Sequence, residues 1–201
     1  APAPAASAAS AATAASLPVV VLPGLGNAAG DYAALESDLA SAHGLVVRTA
    51  DVKRYDWLRN AAGVVKPEYW AGTLEPLPTV QWYIDYVREA VDAALEASGE
   101  GRCVLLAHSA GGWMARVFLE VHGGSQVAKL VTVGSPLQPP PEGAAGVVDQ
   151  TRGILTYVGK NCPGPGTLDG TDFVCVAGRY VEGAEGLEPS VEGVTRLVVG
   201  L

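Results

Sequence analysis

The sequence predicts an α/β fold, doubly wound, with a mostly parallel sheet and helices on both faces. Short apolar runs rich in β-branched residues alternate along the chain with longer segments of helical period. The runs are apolar throughout, which is typical of strands buried on both faces of a parallel sheet. The chain has 201 residues, of which 49% are hydrophobic, so it is long enough for one domain with a large core.

The predicted elements follow one another in strand-then-helix order, in a sheet of five or six strands. The helix predicted near Asp31 to His43 places Tyr32, Leu35 and Leu39 on one face, and Gly44 ends it. The predicted strands are Leu17–Leu22, Leu45–Val52, Cys103–Ala107, Val127–Val133 and Phe173–Ala177, with a further strand possible from Val194 to Leu201; the later helices are Val80–Ser98, Ala110–Val121 and Val147–Tyr157.

Residues 1–16 differ in composition from the rest of the chain. They contain only Ala, Pro, Ser and Thr, which bury too little surface to offset the entropy lost on ordering. We therefore expect a flexible leader at 1–16 and a single domain at 17–201. The leader lacks acidic residues and a bulky apolar core, so it fits the remnant of an organelle transit peptide better than a secretory signal, although it has no Arg. An artificial linker is the alternative.

The charge balance argues against two classes of partner. The formal net charge is -8 and the sequence pI is about 4.8. No cluster of Lys or Arg is visible in the sequence, so nucleic acids and anionic membrane surfaces are poor partners. No apolar run approaches the roughly 20 residues that span a bilayer, so no transmembrane segment is expected.

The segment from Cys103 to Phe118 changes from a strand pattern to a helical one at Ser109. Ala107, His108, Ser109, Ala110 and Gly111 differ at one position from the G-x-S-x-G nucleophile elbow, in which a sharp turn lifts a serine above the sheet. Small residues are needed two places before and after the serine because strand and helix pass closely there. We therefore predict Ser109 as a nucleophile on an elbow. The alternative is an ordinary serine in a glycine-rich turn.

Two backbone amides are the expected oxyanion donors. The amide of Ala110 stands at the start of the helix that follows the serine. The turn Pro23-Gly24-Leu25-Gly26 follows the first predicted strand, and in a sheet that carries an elbow such a turn supplies the second donor, here Leu25. A nucleotide site at this turn is disfavoured because the glycine pattern is incomplete. No cofactor and no metal site are expected.

A general base for Ser109 is missing from the sequence. On this architecture the histidine should follow the serine, yet His43 precedes it and His108 adjoins it with its side chain directed elsewhere. His122 lies roughly 20 Å along the following helix, and we expect it to be a cation at a helix end. Asp149, Asp169 and Asp172 follow the serine, but without a histidine to orient none can be assigned as the acid.

Two further features remain open at the level of sequence. Residues 53–78 contain Trp57 and Trp70 in an irregular stretch, which could be a lid over the carboxyl ends of the strands or aromatic filling of the core. Residues 137–146 are predicted to be a proline-rich rim loop.

The three cysteines are not expected to have one common role. Cys103 should be a buried strand residue, whereas Cys162 and Cys175 could pair in an oxidising compartment.

The chain resembles the α/β-hydrolases, and in particular the lipase-like hydrolases of plants and green algae, many of them plastid-targeted. The segments that carry the resemblance are 19–27 with Asp31-Tyr32, 56–63 with Tyr69-Trp70, 107–113, Gly134-Ser-Pro136, 149–152 and 174–180. The resemblance implies a serine esterase or lipase-like activity and a plastid location. In such proteins the catalytic Asp and His lie around and after a final strand, beyond Leu201, so we expect the last strand and helix of the fold to be absent here.

Two functional hypotheses follow. The first is a serine hydrolase that acts on a carboxylic ester, either a small molecule or a lipid, through an acyl intermediate on Ser109. The second is a truncated or non-catalytic hydrolase-like protein that binds a ligand or serves as a scaffold, because no base follows Ser109. In either case the incomplete edge of the sheet should expose apolar surface that a partner could cover.

Overall fold

A computed structural model describes residues 16–140 and 148–178 of the chain. Within these residues five strands alternate with five α-helices, and short 3-10 segments lie at Ala29–Tyr32 and Arg54–Gly63. The strands are β1 (Val19–Leu22), β2 (Val47–Thr49), β3 (Cys103–His108), β4 (Val127–Val133) and β5 (Asp172–Val176); the helices are α1 (Ala33–His43), α2 (Pro67–Ala71), α3 (Gln81–Ser98), α4 (Gly111–His122) and α5 (Ile154–Asn161).

The strands form one parallel sheet in the order β2-β1-β3-β4-β5. The strand that precedes Ser109, β3, therefore lies at the centre, between β1 and β4. Its register places Leu106 beside Val21 of β1 and beside Val131 of β4. The prediction of a parallel sheet with this strand in the middle is confirmed.

Helices cover both faces of the sheet, as the sequence predicted. Val20 and Leu22 of β1 point into the larger core, which α3, α4 and α5 complete. Val19 and Val21 point to the opposite face and pack with Tyr32 and residues of α1. Because both sets of side chains along β1 are buried, the strand reads as continuously apolar.

Several element boundaries differ from those predicted. The second strand is confined to Val47–Thr49 instead of extending over Leu45–Val52. The first helix begins after the 3-10 turn that holds Tyr32, and Leu35 is 38% exposed, so the expected apolar face of this helix is incomplete. Its end at Gly44 is as predicted, with a left-handed φ of 64°.

The helix predicted from Val147 begins only at Ile154. Asp149 accepts hydrogen bonds from the amides of Thr151 and Gly153, at 2.8 and 2.9 Å, and holds the chain in a turn. Arg152 and Gly153 both adopt positive φ there, of 56° and 108°, which a continuous helix does not allow. Local hydrogen bonding by an Asp side chain thus delays the helix.

The outer strand β5 is largely exposed. Val174 and Val176 are 40% and 50% exposed and project from the same face as Val131. This agrees with the expected apolar surface at the sheet edge, within the part of the chain that the structure describes. The leader up to residue 15, the loop at 141–147 and the possible strand at 194–201 lie outside the described residues.

No helix in the described residues is long and apolar enough to cross a membrane. The same residues hold no group of three or more His, Cys, Asp or Glu side chains arranged to bind a metal ion.

All three cysteines are free thiols, so Cys162 and Cys175 are not bonded to each other in the structure. Cys103 and Cys162 are buried, whereas Cys175 on the outer strand is exposed. Burial raises the pKa of Cys103 and of Cys162 to about 11 in each case. Both buried thiols therefore stay protonated at neutral pH and are poor nucleophiles.

Iodoacetamide should accordingly alkylate Cys175 alone in the native protein near pH 8. Cys103 and Cys162 should react only after unfolding in denaturant, because burial both hides their sulfur atoms and keeps them as thiols. Peptide mass spectrometry of native and denatured samples measures this. Modification of Cys162 in the native state at a rate similar to that of Cys175 would contradict the packing described here.

Arg116 of α4 is a buried cation that holds α5 in place. Its guanidinium nitrogens donate to the carbonyls of Val158 and Cys162, both at 3.0 Å, at the last turn of α5. Further hydrogen bonds reach Pro163 at 2.7 Å and Leu137 at 3.3 Å. Burial lowers the pKa of Arg116, but the group stays charged, and its charge is met by carbonyl dipoles and the negative end of the helix.

Substitution Arg116→Met should lower the free energy of unfolding by about 3 kcal/mol or more, because it leaves several buried carbonyls without a donor. The matched control Arg48→Met, on the exposed side of β2, should change it by less than about 0.5 kcal/mol. Urea unfolding monitored by circular dichroism provides both values. A similar small change in the two variants would show that the Arg116 hydrogen bonds do not stabilise the fold.

Candidate functional site

Ser109 occupies the turn between β3 and α4 with a strained backbone. Its φ is 50°, one of two positive values for non-glycine residues within the described chain. This left-handed conformation costs a non-glycine residue about 1 kcal/mol or more. The Ser109 amide donates to Val133 of β4 at 3.0 Å, and the Ser109 carbonyl accepts from Gly112 at 3.0 Å. The serine is thus fixed at the carboxyl edge of the central strands.

The residues on either side of Ser109 are small because the backbones pass closely. Ala107 is fully buried in β3. A Cβ atom built on Gly111 would lie 2.6 Å from the carbonyl oxygen of Leu22, at the end of β1. No real side chain fits in that distance, so α4 approaches β1 through this glycine.

Ala110 directly precedes α4 and has helical φ and ψ values of -56° and -27°. The Ala110 amide donates no hydrogen bond to any described residue, while the Ala110 carbonyl accepts from Met114 at 3.2 Å. An unpaired amide at the start of a helix is suited to bind an anionic oxygen.

The turn after β1 lies directly against Ser109. A Cβ on Gly24 would be 2.9 Å from the Cβ of Ser109. The Gly24 carbonyl accepts from the amide of Asn27 at 3.0 Å, which closes the turn around Leu25. The Leu25 side chain is 63% exposed, and its amide donates to no described residue. Both expected oxyanion donors therefore have free N–H groups near the serine turn.

His108 is engaged in a hydrogen bond that the sequence did not reveal. Its Nδ1 lies 2.8 Å from the hydroxyl of Tyr32, which also accepts a hydrogen bond from the Gly24 amide at 2.9 Å. The imidazole and the phenol ring also meet edge to face, with centroids 5.9 Å apart. His108 thus lies on the α1 face of the sheet, as expected from its place beside Ser109, and bonds to Tyr32.

The remaining histidines lie at the other edge of the sheet. His43 and His122 end α1 and α4, and both helices run back from the carboxyl edge of the strands to the amino edge. His122 stacks on Phe118 with ring centroids 4.7 Å apart. Partial desolvation lowers the pKa of His122, which weakens its expected role as a cation. No described side chain forms a hydrogen bond with the Ser109 hydroxyl.

The acids that follow the serine are also engaged elsewhere. Asp149 binds the hydroxyl and amide of Thr151, at 2.6 and 2.8 Å. Asp172 begins β5 and pairs with Lys129 at 3.8 Å, at the amino edge of the sheet. Asp169 precedes that strand on the same side. None of the three forms a hydrogen bond with a described histidine.

The excursion at residues 53–78 is bound to the turn after β1. Arg54 donates to the Gly26 carbonyl at 2.7 Å and to both carboxylate oxygens of Asp31 at 2.9 Å. Trp57 is buried against Tyr83 and donates to the Asn27 carbonyl at 2.8 Å. Other side chains of the excursion are exposed, among them Leu58 at 76% and Trp70 at 69%. The excursion therefore fills core on one side and presents apolar surface on the other.

Sequence reasoning missed the polar groups of Tyr32, Tyr83, Arg54 and Arg116. Tyr32 was expected only as an apolar helix residue, and Tyr83 lies in the buried stripe of α3. Helical periodicity places such rings in the core but carries no signal for the partner of a hydroxyl or a guanidinium.

A concavity of about 470 Å³ between α1 and β2, lined by Glu36, Leu45 and Arg48 among others, is not adjacent to Ser109.

Substitution Gly111→Ala should lower the free energy of unfolding by about 1–3 kcal/mol, because the new Cβ overlaps the Leu22 carbonyl and forces α4 away from β1. Gly30→Ala is the matched control, since a Cβ there meets no atom within 4 Å. That variant should be neutral or slightly more stable. Equal thermal and urea stability of the two variants would show that α4 does not pack on β1 as described.

Comparison with known proteins gives the family. The profile of the α/β hydrolase fold matches residues 18–156, which is more than half of the chain. No curated protein sequence matches the chain significantly.

Several solved structures are similar to the chain at low identity. An extracellular α/β-hydrolase from a Paenibacillus species is 17% identical over 62% of this chain and 43% of that protein, with a TM-score of 0.38. A carboxylesterase of the thaumarchaeon Nitrososphaera gargenis is 20% identical over 63% and 40% of the two chains, with a TM-score of 0.40. A cutinase-like protein from Cryptococcus sp. is 17% identical over 89% and 84%, with a TM-score of 0.47.

The matched region spans about two fifths of the Paenibacillus and Nitrososphaera proteins. The family profile, which begins at the residue before β1 and ends within α5, covers both the Ser109 turn and the turn after β1. This chain belongs to the α/β hydrolase fold family.

Proposed function

We propose that this chain carries the nucleophile and oxyanion site of a serine hydrolase that acts on carboxylic esters. Ser109 is the nucleophile, and the amides of Ala110 and Leu25 are the oxyanion donors. The observation that carries the proposal is the positive φ of Ser109 at the carboxyl end of the central strand, with Gly24 of the neighbouring turn packed against it. Strained backbone of this kind clusters at active sites, and the serine of a nucleophile elbow is one such residue.

The reaction would proceed in two steps through an acyl-serine. The Ser109 Oγ forms a bond to the ester carbonyl carbon, and the negative charge that develops on the carbonyl oxygen is met by the two free amides. The bond between the carbonyl carbon and the alkoxy oxygen then breaks, and the alkoxy group leaves as an alcohol with the proton that Ser109 has lost. Water then attacks the acyl-serine, releases the carboxylic acid and returns the proton to Ser109.

The first step requires a base that removes the proton of Ser109, and no described histidine is placed to do so. His43 and His122 end helices at the opposite edge of the sheet, and His108 is bonded to Tyr32. Without an adjacent base the hydroxyl remains a poor nucleophile near neutral pH. This arrangement favours a second candidate function, a hydrolase-like protein that binds an ester or a related ligand without turning it over.

The surroundings of Ser109 suit an ester with an apolar part. Leu25 is exposed beside the serine turn. The excursion, which Arg54 and Trp57 bind to the turn after β1, exposes Leu58 and Trp70. A small-molecule ester or a lipid ester would therefore find apolar contacts on this side. A plastid location, suggested by the leader and by the plant and algal resemblance, remains a prediction that a fluorescent fusion of this chain can test.

The 201-residue polypeptide should hydrolyse p-nitrophenyl butyrate only slowly. Oxyanion donors without a base leave roughly 10³- to 10⁴-fold acceleration over water in serine proteases, which is barely detectable in an ordinary assay. This residual rate should disappear in Ser109→Ala. A version extended with a relative's C-terminal segment that contains Asp and His should be far faster, and its gain should also depend on Ser109.

Steady-state absorbance assays of the four proteins, the chain and its extension with and without Ser109→Ala, separate the two candidate functions. Rapid Ser109-dependent turnover by the unextended chain would show that a base exists among its own residues. Lack of any Ser109-dependent gain in the folded extended protein would argue for the binding function. Far-ultraviolet circular dichroism establishes that each protein is folded.

A further inference from the structure

The peptide group between Pro23 and Gly24 is held from both sides of the sheet. Tyr83 of α3 donates its hydroxyl proton to the Pro23 carbonyl at 2.7 Å. The amide of the same peptide group, that of Gly24, donates to the Tyr32 hydroxyl at 2.9 Å. Tyr83 is fully buried in the larger core, and Tyr32 is 9% exposed on the opposite face. A planar peptide with both polar atoms bonded cannot rotate without breaking a hydrogen bond.

The next peptide group, between Gly24 and Leu25, carries the Leu25 amide, and its orientation depends on that of the Pro23–Gly24 peptide. The Gly24 carbonyl accepts from Asn27 at 3.0 Å, so it points into the turn. In a trans peptide the carbonyl and the amide point in opposite directions, and the Leu25 N–H therefore points out of the turn. The position of this donor thus depends on how firmly the preceding peptide is held.

The same hydrogen bonds reach the serine side of the site. Tyr32 bonds through its hydroxyl to Nδ1 of His108, at 2.8 Å, and His108 directly precedes Ser109. A Cβ on Gly24 would lie 2.9 Å from both His108 Nδ1 and Ser109 Cβ, so turn and strand end are in van der Waals contact. Tyr32 therefore links the turn that carries one oxyanion donor to the strand that carries the nucleophile.

We propose that Tyr32 and Tyr83 are positioning residues that fix the Leu25 amide relative to Ser109. The inference rests on the proposed function, in which this amide receives the oxyanion. Both side chains are buried and both hydroxyls are bonded to the Pro23–Gly24 peptide, so we assign them a role that acts through this peptide. Their effect should be on the transition state, where a misplaced donor loses most of its stabilisation, and less on ground-state binding.

Fluorophosphonate modification of the full 201-residue chain tests this inference. The Ser109 Oγ forms a bond to phosphorus, fluoride leaves, and the hydroxyl proton passes to the buffer, so the reaction can be followed by intact mass over hours. Complete removal of an oxyanion donor costs 10²- to 10³-fold, so Tyr32→Phe and Tyr83→Phe, which only loosen it, should each lower kinact about 10-fold. The inhibitor constant KI should change less than about twofold, since ground-state contacts are kept.

Tyr157→Phe is the matched control. Tyr157 is half-buried on α5, and its hydroxyl forms no hydrogen bond with a described residue. Its kinact and KI should equal those of the parent chain. The exchange rate of the Asn27 amide with solvent, measured by NMR, provides a second readout. It should rise in Tyr32→Phe and Tyr83→Phe, because the turn opens more often, and stay unchanged in Tyr157→Phe.

The outcomes separate this inference from the proposed function. If the parent is modified at Ser109 and both tyrosine variants match the control in kinact, the positioning role is wrong. If Ser109 of the parent is not modified at all, the proposed nucleophile fails, and the positioning of the turn is then judged by Asn27 exchange alone. Unchanged exchange in Tyr32→Phe and Tyr83→Phe would overturn it.

Discussion

The site depends on the close approach of two turns, one after β1 and one after β3. Gly24 and Gly111 make this approach possible, since a Cβ at either position would come within 2.9 Å or less of backbone or side-chain atoms of the other segment. Parallel neighbours end at the same edge of the sheet, so the pairing of β1 with β3 brings the two turns to one place. Everything proposed for Ser109 follows from this contact.

The parallel sheet, its central strand and the position of Ser109 after that strand could be predicted because they depend on patterns that the sequence shows directly. Buried parallel strands are apolar throughout, and small residues mark the place where strand and helix backbones meet. Gly44 marks the end of α1 for a similar reason, since the left-handed backbone conformation at a helix end favours glycine. Each of these features is encoded within a few neighbouring residues.

The features that the sequence did not predict are polar contacts, one of them local and the others between distant residues. The start of α5 depends on the local bonding of Asp149, and its attachment depends on Arg116, which reaches carbonyls 42 and 46 residues away. The hydroxyls of Tyr32 and Tyr83 meet the turn after β1 from opposite faces of the sheet. In the sequence these residues look like ordinary core aromatics or surface charges. Hydrophobic periodicity indicates which residues are buried but not which partner a polar atom has.

The attachments made by Arg54 and Arg116 differ in their sensitivity to solution conditions. Arg54 binds the carboxylate of Asp31, whose pKa is lowered chiefly by the Ala28 amide. The stabilisation that this carboxylate provides is present above its ordinary titration range and is lost as pH falls through the lowered pKa. Arg116 binds only carbonyls, which neither titrate nor exchange with salt ions as an exposed ion pair does. Acid or high salt should therefore weaken the Arg54–Asp31 ion pair, while the hydrogen bonds of Arg116 to α5 stay unchanged. The excursion would then be held to the turn after β1 by the bonds that reach the Gly26 and Asn27 carbonyls, a looser attachment than the one it has near neutral pH.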